Sequence, residues 1–160
     1  MVPFRLLTRP AFRVVGKQSW IGGQDNDLFG HFWQQCRDEG LFQVFERLTN
    51  FSPGAVTNGV TLGISHVEKD PAVRQFFYQI AVEYPSGDIP AGLQAFIVPA
   101  SQWAVFECHG PVPDAIVEAE MFAFMQWLPV SGFQHALAPE MEVYPPQTVE
   151  DYAEFWLPII

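Results

Sequence analysis

Apolar and polar positions alternate along residues 12–22, FRVVGKQSWIG, which is the period of a half-buried strand. Turn-forming residues follow in GGQDND, where Asp25 and Asn26 are N-cap candidates for a helix. Beyond them the period changes: Leu28, Phe29, Phe32, Trp33 and Cys36 recur at helical spacing, and Gly40 can end that helix. A short second helix is predicted around Phe42–Leu48, then a loop through NFSPGAVTN. Two strands follow, GVTLGISHV (59–67) and FFYQIAVEYP (76–85), joined by EKDPAVRQ. The same order then recurs. SQWAVFECHGP (101–111) reads as a strand and PDAIVEAEMFAFMQWL (113–128) as a helix, with Ile116, Val117, Glu120, Met121, Phe124 and Met125 near one face. Pro129 and Gly132 are expected to stop it, and PEMEVYPP and YAEFWLPII close the chain as strands.

Strand–helix–strand–strand thus occurs twice, offset by about 90 positions, with turn-rich SGDIPAGLQAF (86–96) between. Such a module covers only one face of its sheet, so two of them belong together. The predicted fold is α+β: one domain over 1–160, built from two pseudo-twofold-related strand–helix–strand–strand modules, about 1–86 and 93–160. Their antiparallel sheets surround a central ligand cleft, the natural place for a small molecule.

Composition narrows the choice of partner. Hydrophobic residues make up 49% of the 160, enough for a real core. No apolar run approaches the roughly 20 residues of a membrane-spanning helix, and the start MVPFRLLTRPAF lacks a secretory pattern, so a cytoplasmic location is expected. The net charge of −10, from 8 basic and 18 acidic residues, speaks against nucleic-acid binding by this chain and for cationic partners. Cys36 and Cys108 have no metal-ligand spacing and read as small buried thiols. His31 reads as a surface residue; His66, His109 and His135 are scattered. No metal site or cofactor is read, and no nucleophile elbow, phosphate loop or dinucleotide fingerprint is present. Aromatic residues, 15% of the chain, suit either a heavy core or an aromatic-lined pocket.

The motifs FRVVGKQSWIG, DIPAGLQAFIVPASQWAVFECHGP, FMQWLPVSGF, EMEVYPP and AEFWLPI, taken together and in order, resemble the GyrI-like family. This is the small-molecule-binding domain also attached to AraC-type and MerR-type multidrug-responsive transcription regulators. The resemblance implies the duplicated fold and a cleft for bulky, aromatic, often cationic compounds. It implies that Glu142 in MEVY is the family's acidic position, that Glu154 in EFWLPI is a second acid, and that Trp103 is the aromatic of the preceding strand. The chain shows no DNA-binding segment, so a stand-alone form is expected, with a regulator or another protein as a possible partner. A hydrolase of strained or electrophilic molecules, using Glu142 or Glu154 to activate water with Tyr144 or Tyr152 assisting, is the alternative. A gyrase-like protein-interaction module is the third reading.

Strand parity adds a physical case. Glu142 shares a face with Tyr144, and Glu154 with Trp156. The alternation by itself equally suits acids on the wet side of a sheet; the resemblance favours the pocket. A desolvated carboxylate beside aromatic rings is relieved by an organic cation. Glu142, Glu154, Trp103, Tyr144, Trp156, Trp20 and Tyr78 are therefore the expected ligand-binding residues. Glu142 and Glu154 are twelve apart and each six from Thr148, so a hairpin centred there would bring them together on one face.

Overall fold

The computed structural model describes residues 2–22, 27–66, 75–145 and 151–160. Asp25, Asn26, most of the EKDPAVRQ turn and the predicted hairpin centre at Thr148 lie outside these residues. Among the described residues, eight antiparallel strands form one sheet: β1 (Phe4–Arg9), β2 (Phe12–Gly22), β3 (Thr61–His66), β4 (Gln75–Glu83), β5 (Gln94–Val98), β6 (Ser101–His109), β7 (Glu140–Tyr144) and β8 (Tyr152–Ile159). Their order is β1-β6-β8-β7-β3-β4-β2-β5. Read outward from the β7–β3 seam, each half runs middle strand, last strand, first strand, which is the expected duplication with its axis at the seam. The two expected sheets are continuous across that seam, through pairs running from Thr61↔Tyr144 to Ser65↔Glu140.

β1 and β5 were not foreseen. Each runs into the next strand through a Pro-Ala pair, Pro10-Ala11 and Pro99-Ala100, and each pairs with a strand of the other half: β1 with β6, β5 with β2. Three residue steps from Arg9 to Phe12 span at most about 11 Å. Yet β1 and β2 stand near opposite ends of the hydrogen-bonded order, so the sheet must roll until its ends meet. The resulting inner face holds Phe12, Val14, Leu62, Ile64, Trp103, Val105, Met141, Val143 and Trp156 in one buried cluster.

The helices cover the other face. α1 (Asp27–Asp38) and α2 (Leu41–Phe51) pack on the first half, where Phe32, Cys36, Leu41 and Phe45 meet Tyr78, Ile80 and Val82. Asp27 in the first turn of α1 and Arg37 in its last complement the helix dipole. Gly40, at φ 78°, turns the chain between the two helices. α3 (Asp114–Phe122) covers the second half through Ala115, Ile116 and Ala119, packed on Phe106, Phe155 and Leu157. It continues as a π-helical turn, Ala123–Trp127, into the short α4, Leu128–Ser131. Pro129 therefore lies inside the helix instead of ending it. The wider turn before it accommodates a ring that clashes in a regular helix. Gly132, at φ 82°, is the residue that stops it. Among the described residues, no helix is long and apolar enough to cross a membrane.

Both cysteines are free and buried, and burial pushes their thiols up, Cys108 to about 12. A thiol-reactive dye should label neither in the native protein at pH 8 and both in denaturant; rapid native labelling would contradict this packing.

Candidate functional site

Strand parity sorts the acids and aromatics onto the two faces of the sheet. On β7, Met141 and Val143 enter the inner core, so Glu140, Glu142 and Tyr144 face the helices. Gly63 stands directly opposite Glu142 on β3, and Tyr78 lies one strand further, opposite Ser65. The Tyr78 hydroxyl donates to Glu142 Oε1 at 2.8 Å, and the Tyr144 hydroxyl donates to the same oxygen at 2.5 Å. Among the described residues, Oε2 has no hydrogen-bond partner and no basic side chain pairs with the carboxylate.

Gly63 makes this meeting possible. A Cβ there would run into the Tyr78 hydroxyl and stand 2.8 Å from Glu142 Oε1. α1 supplies the wall. Phe29 and Trp33, one helical turn apart, share a face. Phe29 meets the Tyr78 ring edge-on at 4.9 Å, and Trp33 Nε1 donates to the Tyr78 hydroxyl oxygen at 3.1 Å. The Trp33 ring also meets Tyr144 at 5.3 Å and stacks on Phe42 at 5.9 Å. Trp33, Tyr78, Glu142 and Tyr144 thus close a ring of contacts over the seam. Burial holds the phenols of Tyr78 and Tyr144 well above their usual range, so both remain donors. Burial also pushes the Glu142 carboxyl up, against the two phenol hydrogen bonds that pull it down; a charge on Glu140 would push it further up.

The structure does not bring Glu154 to this place. Register pairs Phe155 with Glu142 and Val143 with Glu154, one residue away from the expected pairing. One step reverses the face, so Glu154 and Trp156 point into the rolled inner side, away from Glu142. Glu154 also has its own cation. Arg5 Nη2 lies 2.9 Å away, with further hydrogen bonds from the Tyr152 hydroxyl at 2.6 Å and Trp156 Nε1 at 3.0 Å. Burial pushes this carboxyl up, but the three donors and the Arg5 charge outweigh it, and the group lies below its ordinary value. Trp103 is fully buried in the inner core, 5.7 Å from Trp156, and its indole N–H has no acceptor among the described residues. Trp20, 55% exposed, pairs edge-on with Phe77 on that same face. Of the seven expected residues, Glu142, Tyr144 and Tyr78 come together, while Glu154, Trp156, Trp103 and Trp20 lie across the sheet. Sequence reasoning missed Trp33 and Phe29 as site residues. Their helical spacing was visible, but core and cleft aromatics on one stripe look alike. Gly63 carried no signal beyond being a glycine inside a strand, which marks a close approach.

Among the described residues, no group of three or more His, Cys, Asp or Glu is placed to hold a metal ion. What the arrangement offers instead is a desolvated negative charge with aromatic walls.

Comparison with known proteins agrees with this architecture. The family model of the GyrI-like small molecule binding domain matches residues 3–160. The chain belongs to the GyrI-like family and is a small-molecule-binding domain. It is 27% identical over 141 residues to the transcriptional regulator BrlR of Pseudomonas aeruginosa, covering 88% of this chain and 47% of that regulator. The chain thus spans about half the length of that relative. Among solved structures, SAV2435 bound to tetraphenylphosphonium superposes with a TM-score of 0.78 at 21% identity, over 99% of this chain and 94% of that one. An EcmrR–DNA complex gives 0.67 at 15% identity, over 99% of this chain and 57% of that one. Likeness at these identities shows the fold.

Opposite pH signatures follow for the two acids. A raised folded value means Glu142 weakens the fold increasingly as pH rises through the carboxylate range. A lowered value means Glu154 contributes stability above its unfolded value and loses it as pH falls through its folded one. At pH 7, Glu142→Gln should raise the melting midpoint and Glu154→Gln should lower it, both differences shrinking below pH 4. Equal shifts of one sign would refute the assignment. Gly63→Ala should cost about 1–3 kcal/mol in chemical denaturation, through overpacking and the lost Tyr78–Glu142 bond; a neutral effect would mean the two side chains have another route to each other.

Proposed function

We propose that this domain captures bulky hydrophobic cations, with Glu142 as the counter-charge and Tyr78, Tyr144, Trp33 and Phe29 as the aromatic surround. One observation carries the reading. Among the described residues, the buried acids Glu154, Glu140 and Glu83 each have a charged or backbone partner, and Glu142 has only neutral phenols. Glu154 has Arg5, Glu140 has His135 at 2.9 Å, and Glu83 takes the backbone N–H groups of Val56 and Thr57 with the Thr57 hydroxyl. Glu142 has two neutral phenols and a spare oxygen. A delocalised organic cation supplies the missing charge and places its apolar groups against rings. Each favourable ring contact adds about 0.5–2 kcal/mol. Few directional bonds are involved, so the site tolerates varied shapes. The tetraphenylphosphonium complex of SAV2435, a protein of the same fold, supports this class of ligand. The regulator BrlR, sharing this domain over half its length, supports an effector-sensing role, with DNA contact left to another segment or protein.

Calorimetry tests the reading. Tetraphenylphosphonium should bind more tightly than neutral triphenylphosphine oxide. Glu142→Gln, which keeps shape and removes charge, should weaken the cation by about 1.5–3 kcal/mol, roughly ten- to hundredfold, and leave the neutral ligand unchanged. Affinity for the cation should fall as pH drops through the carboxylate range, because a raised carboxyl must lose its proton to bind. A Glu142→Gln protein that binds the cation as tightly as its parent overturns the proposal.

A further inference from the structure

Glu140 stands two residues before Glu142 on the same face of β7 and is similarly covered, yet it has what Glu142 lacks. His135, on the connector between α4 and β7, places Nε2 2.9 Å from Glu140 Oε2 and Nδ1 2.6 Å from the Ala136 carbonyl oxygen. Both side chains are nearly closed to solvent, at 13% and 11% exposure. The imidazole lies nearly parallel to Phe124, at 14°, and a bridge to Ile159 fixes its backbone.

The chemistry of these contacts fixes a proton count. A carbonyl oxygen only accepts, so Nδ1 carries a hydrogen. The contact between Nε2 and the Glu140 oxygen then requires one more proton, on one atom or the other. Imidazolium with carboxylate satisfies it, and so does neutral imidazole with carboxylic acid. Either way the pair has no net charge. The ionisable neighbours on this face include Glu142 and Tyr144 along β7, Tyr78 on β4 and Cys108 on β6, which burial keeps protonated, and Glu120 on α3, whose charge is felt at Tyr144. Opposite Glu140 on β3 is the neutral Ser65, and Phe124 is neutral as well. An unneutralised Glu140 charge would act directly on Glu142.

We propose that His135 is a positioning residue for the cleft: by sharing one proton with Glu140 it cancels that acid's charge, leaves Glu142 as the only net charge on the ligand face of β7, and so sets the site for monocations over dications. The proposal rests on the cation-binding reading above. It extends that reading by assigning charge selectivity to a histidine remote from the ligand.

Two substitutions that break the pair but differ in charge separate this role from bracing. Affinities of a benzyl phenylpyridinium monocation and the flat dibenzyl bipyridinium dication would be measured at pH 7 and fixed ionic strength. Glu140→Gln leaves a neutral imidazole bonded to a carboxamide, so the dication-to-monocation ratio should stay within twofold of the parent. His135→Gln leaves an ionised Glu140, and the ratio should rise about fivefold or more, as a second charge a few ångströms away in a partly desolvated cleft demands. The double variant should return to the parent ratio. If both single variants move the ratio alike, or neither moves it while Glu142→Gln still weakens cation binding, His135 is a brace and the proposal fails alone. If Glu142→Gln also has no effect, the cation-binding reading has failed and takes this proposal with it. Should His135→Gln not fold, His135→Ala takes its place: the same rise in the ratio supports the proposal, and an unchanged ratio overturns it.

Discussion

The arrangement at the β7–β3 seam depends on a carboxylate that the protein takes partly out of water and, among the described residues, does not pair with a cation. Placing Glu142 at the β7–β3 seam has a cost, visible as a carboxyl held above its ordinary range. Two phenol hydroxyls, both reaching Oε1, offset part of it. They also fix the direction in which the second oxygen is offered. Tyr78 is buried, locked by Trp33 from α1 and by the missing side chain at Gly63, so the acid sits on a rigid floor. On the proposed reading, a site that accepts many shapes is still stiff in this one respect. The charge is placed firmly, and the aromatic surface around it is broad.

The topology explains why this place exists. Each half has its own helical cover, α1 and α2 on one side and α3 on the other, packed over last and first strands. The middle strands β3 and β7 meet at the axis, between the two helical covers. Exchange of β1 and β5 between the halves rolls the sheet and gives its inner face to an apolar core. The outer face at the seam is then the part of the sheet left for Glu142, Tyr144 and Gly63. Trp33 and Tyr144 meet across it, linking the wall of one half to a floor residue packed against the other.

Much of this was legible in the sequence, and the failures have definite causes. Glu142 and Tyr144 were placed on one face because strand parity is strict over two residues. The duplication was legible because hydrophobic period changes twice in the same order. Parity did not carry across the turn between β7 and β8. Counting outward from Thr148 gave Glu142 opposite Glu154, and the ladder pairs it with Phe155. A single-residue error in loop register turns a whole strand over. Arg5 escaped notice because β1 is short and ends at a proline, and its pairing with Glu154 is a contact between positions 149 apart. Trp103 and Trp156 looked like ligand residues for the same reason that Trp33 looked like core: burial beside other rings has one composition on both sides of a sheet. His135 had no helical partner in sequence, and its acid comes from the next strand.

The central claim is that the charge of Glu142 awaits an external cation. The most direct measurement is the ionisation of that one carboxyl, followed by NMR of side-chain-carboxyl-labelled protein across an acid titration, with and without saturating tetraphenylphosphonium. The expected result is an apparent pKa above the ordinary glutamate value in the free protein and a fall on binding, while Glu154, already paired with Arg5, stays low in both. A Glu142 that titrates at the ordinary value in the free protein, or whose titration is unmoved by the bound cation, would contradict it.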